Sequence, residues 1–171
     1  MNEFTPKNSP GLMDQAFKAK YRVLQLVYGT YAGRIIEFDA YDHYGRPPFE
    51  AHRTVLLFVS RHEGRLYHEK YQYFPVFKTA TGDWAGCGSP YQHESEMHHK
   101  ALRPRALKFG ADAYFDMSQL SQKQIAQSYP STYFRIQGNR AYCVEGNLAA
   151  ELFEVKRDGV LTARGLFGKG T

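Results

Sequence analysis

The chain carries one tryptophan, two cysteines and no long apolar run, and each shortage narrows what it can be. Its longest apolar stretch, from Thr54 to Val59, is far shorter than the roughly 20 residues that a membrane helix needs. A spanning helix is therefore not expected. Cys87 and Cys143 lie in unrelated segments without Cys-x-x-Cys spacing, which argues against a zinc knuckle or a redox motif. Two buried reduced thiols are the expectation, a single disulfide requiring an oxidising compartment. At the N-terminus Glu3, Pro6, Lys7 and Asn8 precede any apolar residue run, unlike the basic-then-apolar order of a signal peptide, so the cytoplasm is the expected location. Phosphate-binding Gly-x-x-x-x-Gly-Lys, dinucleotide Gly-x-Gly-x-x-Gly, the Gly-x-Ser-x-Gly elbow and a calcium loop are all missing, and no cofactor is expected. No repeat of fixed period is present.

What the chain does have is aromatic residues, 13 Tyr and 12 Phe, in a composition that is otherwise ordinary at 43% hydrophobic and 23% charged. Tyrosine suits half-buried strands with one polar edge, so β structure is favoured. Residues 1–20 read as a polar arm with a short helix from about Gly11 to Lys20, and residues 21–171 as a single β-rich domain. Glycine turns separate apolar runs along most of that domain. Arg22 to Tyr28 pairs with Arg34 to Tyr41 around Gly29 and Gly33. In the second of these, Ile36, Phe38 and Ala40 fall on one face, Glu37 and Asp39 on the other. Thr54 to Ser60 joins a long strand from Arg65 that Pro75 should end. In that strand Tyr67, Tyr71 and Tyr73 share one face with Glu69.

The middle of the chain breaks the pattern. Ser89, Pro90 and Gln92 form a helix-start signature for a helix from Pro90 to about Leu102. Asp116 with Gln119 predicts a second, ending before Pro130. Strands return at Thr132 to Gln137 and Arg140 to Glu145, flanking Gly138-Asn139. Ala150 to Lys156 and Val160 to Leu166 then flank Asp158-Gly159 as a tight hairpin. The class expected is α+β, predominantly antiparallel β, with about nine strands in a barrel or sandwich and a helical insertion near residues 89–129.

Three constellations could carry function. His93-Glu94-Ser95-Glu96-Met97-His98 is rich in metal ligands, but His-Glu-x-x-x-His sets His93 and His98 about 140° apart on a helix, where a zinc-protease helix needs four-residue spacing. An exposed polar helix is the preferred reading. Lys100, Arg103, Arg105 and Lys108 form the densest basic stretch in a chain whose Lys and Arg outnumber Asp and Glu by 22 to 17, a net charge of +5. With Tyr67, Lys70, Tyr71 and Tyr73 it could contact a polyanion, the cations meeting phosphates and the rings stacking on bases. Asp42, His43, His52, His62, His68 and Glu69 supply the residue types of a metal-free nuclease, which needs a general acid, a general base and a phosphate anchor.

The expected function is a non-enzymatic binding or regulatory protein acting on a macromolecular partner, a protein ahead of a nucleic acid, with no membrane contact. The competing expectation is a hydrolase, metal-dependent through His93, Glu94 and His98 or a metal-independent nuclease.

Overall fold

A computed structural model of the chain describes residues 3–7, 11, 13–91 and 102–168. They gather into two compact units, residues 1–75 and 76–171. The expected class stands: strands dominate and nearly all their pairing is antiparallel. None of the three sheets closes into a barrel, and the described residues hold 12 strands where about nine are expected.

Unit 1 is a five-stranded sheet of β1 (Glu3–Lys7), β2 (Gln15–Arg22), β3 (Ile35–Asp42), β4 (Val55–His62) and β5 (Arg65–Pro75), in the order β1-β2-β3-β5-β4. All pairs are antiparallel except β3 and β5, which run parallel and meet through a single bridge, Asp39 with Tyr67. β2 stands where the short helix over Gly11 to Lys20 is expected. Its apolar residues have period two: Phe17, Ala19 and Tyr21 are buried and sit opposite Ala40, Phe38 and Ile36. The more apolar stretch from Val23 to Tyr28 is not the partner of β3, and it leaves Leu24, Leu26 and Tyr28 exposed. Burying β2 places three side chains on the core face while its lysines stay in solvent, and that outcome wins over raw hydrophobicity.

A single 3-10 turn, Pro48–Ala51, lays Phe49 over this face. Phe38 and Phe49 are almost wholly enclosed, and each such side chain contributes about 2–3 kcal/mol of burial. The β4–β5 hairpin turns through Glu63 and Gly64, both at positive φ. Further along, Leu57 pairs with Tyr73 and Val59 with His68, so β5 spends three more residues than β4 over that interval. Tyr71 takes a φ of 67° in this bulge, and the His68 ring closes it with Nε2 2.8 Å from the Gln72 carbonyl. The extra residues reset the alternation.

Unit 2 holds β6 (Phe77–Lys78), β7 (Trp84–Cys87), β8 (Arg105–Ala106), β9 (Tyr114–Asp116), α1 (Gln122–Ser128), β10 (Phe134–Gln137), β11 (Arg140–Cys143), β12 (Glu145–Leu148) and α2 (Ala149–Lys156). They form a three-stranded sheet, β10-β11-β9, and a four-stranded sheet, β6-β7-β12-β8. The predicted hairpin around Gly138-Asn139 is present as β10 and β11. A disulfide joins Cys87 of β7 to Cys143 of β11, stitching the two sheets together across Cα atoms 5.5 Å apart, so the cysteines are not free thiols. Around it pack Ala113, Met117, Phe134 and Ala141, with Phe77, Phe115 and Tyr129.

Two local expectations yield to this packing. α1 begins at a capping box of Ser121 and Gln124 instead of Asp116 and Gln119, because Asp116 ends β9 and its carboxylate accepts the Ser118 N–H. The hairpin expected at Asp158-Gly159 is absent. Residues from Ala149 form α2 and run on into a π-helical turn, Arg157–Leu161, kinked at Gly159, whose φ of −101° and ψ of −108° are not helical. Ala149, Leu152 and Lys156 are buried at three- and four-residue spacing, and the Glu151 carboxylate accepts the Leu148 N–H. Helical periodicity and capping therefore override the local turn signal. The helix expected from Pro90 falls mostly outside the described residues.

Candidate binding face

Among the described residues, those singled out by pattern do not converge. The bulge separates the tyrosines: Tyr73 packs with Phe49 in the core, Tyr67 stacks on Tyr41, and Tyr71 is exposed on the bulge itself. Tyr67, Tyr71 and Tyr73 therefore do not share the face that strict alternation predicts. Lys70 lies 5.0 Å from the Tyr71 ring centre and pairs with Asp14 at 2.6 Å, which holds the Asp14 carboxyl below the usual carboxylate range. Of the basic stretch, Lys100 lies outside the described residues, as do His93, Glu94 and His98. Arg103 and Lys108 are exposed, and Arg105 grips both oxygens of Glu151 at 2.7 and 2.8 Å. Among the described residues no group of three or more His, Cys, Asp or Glu could hold a metal ion.

The six residues of the nuclease-like constellation divide between core and surface. His68 is buried with its ring 4.5 Å from that of Phe49, and His52 lies 5.9 Å from the Tyr73 ring. Burial pushes the His52 pKa down, which favours a neutral ring, and pushes the Tyr73 hydroxyl up, with the Asp42 charge adding to that shift. His43 instead faces Asp14 at 3.5 Å, His62 sits beside Glu63 on the exposed hairpin, and Glu69 accepts the Ser60 hydroxyl. Acid, base and phosphate anchor are not gathered in one place.

A different set does come together, on the three-stranded sheet of unit 2. Register aligns Arg135 of β10, Tyr142 of β11 and Tyr114 of β9 in one row, and Gln137, Arg140 and Asp116 in the next. Phe134, Ala141, Cys143 and Phe115 alternate with them and belong to the core, so the two rows occupy the opposite face. No family model, curated protein or solved structure matches this chain. The chemistry of this face must therefore be argued from its own side chains.

The arginines are held by the rings. The Arg140 guanidinium lies 4.3 Å from the Tyr114 ring centre and reaches the Tyr142 hydroxyl at 3.4 Å, while that of Arg135 lies 5.7 Å from the Tyr142 ring. The Tyr142 hydroxyl is the main cause that raises the Arg140 pKa further, so it stays charged throughout the working range. Asp116, two strands from Gln137, keeps its carboxyl low chiefly through the Ser118 N–H. Stacking uses the flat face of a guanidinium, so the edge donors other than the Arg140 Nη1 that meets Tyr142 stay open to carboxylate or phosphate. The sequence signal was present as Tyr114-x-Asp116 and Arg140-x-Tyr142, each with the two-residue period of one strand face. It could not be seen without knowing that β9 and β11 are neighbours.

Proposed function

We propose that this is a non-enzymatic binding protein that engages a protein partner through the Arg135, Arg140, Tyr114 and Tyr142 face, meeting carboxylates on that partner. The observation that carries the reading is the pair of arginines pre-ordered on tyrosine rings. An arginine already held in place loses less rotamer freedom on binding, a cost otherwise of order 1–2 kcal/mol per side chain. Arg and Tyr are also the side chains that dominate protein interfaces. Asp116 leaves the two rows with a net charge of +1, which favours a mixed protein surface over a strand of phosphates. The Cys87–Cys143 bond supports an oxidising compartment in place of the cytoplasm expected from the first residues.

Nucleic acid is the second reading, favoured by the same two guanidinium edges. Both are tested by probing the protein with an immobilised peptide library graded in Asp and Glu content, and with single-stranded DNA and RNA across a salt series. Selection of acidic peptides, lost in Arg135→Ala/Arg140→Ala, supports the protein reading. Oligonucleotide binding that falls with salt and vanishes in the same variant replaces it with the nucleic-acid reading. Failure of both probes, or binding indifferent to the two arginines, removes this face as the site.

A further inference from the structure

Unit 1 contains a second, independent concentration of charge. A cleft of about 540 Å³ lies beside β3 and the tip of the β4–β5 hairpin, a size that fits a small-molecule ligand. It is lined by Lys7, Lys18, Arg61 and Arg65 and by two carboxylates, Glu37 and Asp39. The carboxylates are already matched. Lys18 pairs with Glu37 at 2.6 Å, and Lys7 pairs with Asp39, whose side chain is nine-tenths buried. Arg61 and Arg65 have no carboxylate partner among the described residues, so the cleft carries two surplus positive charges. Arg65 also stands close enough to Lys18 to oppose its protonation, although the Glu37 hydrogen bond and charge outweigh it and raise the Lys18 pKa. A bound anion would offset that surplus.

The fold builds this opening. β3 and β5 are held by one parallel bridge, and both arginines of the hairpin tip line the opening beside it, Arg65 opposite His62 and Arg61 opposite Leu66, so that they leave the hairpin on alternate faces. Tyr31 lines the same cleft, with its hydroxyl donating to the Ile35 carbonyl at 2.7 Å. Its ring lies so close over Gly33 that a Cβ there would come within 2.7 Å of it. Gly33 is thus the residue that lets an aromatic ring settle on the cleft wall.

From this juxtaposition of two unpaired arginine forks, two neutralised lysine–carboxylate pairs and a fixed tyrosine ring, we propose that the cleft binds a phosphate monoester dianion carrying an aromatic group. Guanidinium forks match the spacing of phosphate oxygens and bind them in bidentate fashion, and a ring attached to the phosphate can lie against Tyr31. The proposal does not depend on the unit 2 face.

Calorimetric titration with inorganic phosphate, phenyl phosphate and a nucleoside 5′-monophosphate tests it at low salt. Saturable binding is expected for all three, tighter for the two aromatic esters. Arg61→Gln and Arg65→Gln, both at exposed positions, should each weaken it about tenfold or more, and Arg65→Lys should restore only part of the loss. Gly33→Ala should erase the preference of the aromatic esters over inorganic phosphate while leaving phosphate itself bound. No binding of any probe, or binding unchanged in both glutamine variants, overturns the proposal. An ester preference that survives Gly33→Ala overturns the part assigned to Tyr31.

Discussion

Opening the bond between Cys87 and Cys143 should cost unit 2 about 4 kcal/mol. The two residues are 56 apart in sequence. In the chain-entropy description, a cross-link closing a loop of that length removes about 14 cal/mol/K from the unfolded chain, which is about 4 kcal/mol at room temperature. Against a typical total of 5–15 kcal/mol this is a large share. Trp84, the chain's single tryptophan, lies on β7 three residues before Cys87 and so reports on unit 2. Urea unfolding followed by Trp84 fluorescence should therefore show a midpoint lowered by about 2 M on reduction, for a slope near 2 kcal/mol/M. Cys87→Ser/Cys143→Ser should reproduce it, with a further cost from burying a hydroxyl at position 143, where the native residue is 8% exposed. A shift below about 1 kcal/mol in fully reduced protein, with both thiols counted by mass, would refute the claim that this bond, and not packing alone, unites the two sheets of unit 2.

Lys156 is 6% exposed, and burial, aided by the Arg164 charge, pushes its pKa down to about 8 from 10.5. The folded state thus binds its proton less tightly than the unfolded chain does. Stability should rise as pH increases from about 8 to 10.5, by up to about 3 kcal/mol; below that window the full penalty of the buried charge remains, above it the penalty is gone, and in neither range does this group add to the slope. Lys156→Met should flatten that part of the profile and raise the melting temperature at pH 7; an unchanged profile would mean the amine is solvated. Ser121→Ala removes the oxygen that accepts the Gln124 N–H at 3.3 Å and should cost about 1 kcal/mol in thermal unfolding, a loss largely recovered by Ser121→Asp. Phe49→Ala should cost unit 1 about 3–5 kcal/mol by emptying the space over Phe38 and His68, read by hydrogen exchange of β2 and β3 amides.

The sequence is most informative where the deciding interaction is local. The hairpin expected between Thr54 to Ser60 and the long strand from Arg65 is the one that forms, with its turn tightened to Glu63 and Gly64. The same holds at Gly138-Asn139, and for the division of β3 into a core face of Ile36, Phe38 and Ala40 and a polar face of Glu37 and Asp39. A strand's face follows from its own period of two, and a tight turn from the residues within it.

Position and partnership were decided elsewhere. The chain from Val23 to Tyr28 looks the better strand, yet β2 wins because Phe17, Ala19 and Tyr21 find Ala40, Phe38 and Ile36 opposite them. The bulge in β5 is a mismatch in length between two strands, which neither strand records alone, and it parts Tyr67 from Tyr73. Asp158-Gly159 has the composition of a hairpin turn, but Ala149, Leu152 and Lys156 bury one side of a helix that leads up to it, and Gly159 kinks the helical path without reversing it into a strand pair. Cys87 and Cys143 meet only once the two sheets of unit 2 are packed. The Arg–Tyr face has the same origin: Tyr114 and Tyr142 are 28 positions apart by number and adjacent by register, with ring centres at 5.4 Å. What the residues determined unaided was periodicity and turns, because those energies act over a few bonds. Which strands became neighbours, and hence which side chains share a surface, was settled by burial summed over the whole of each unit.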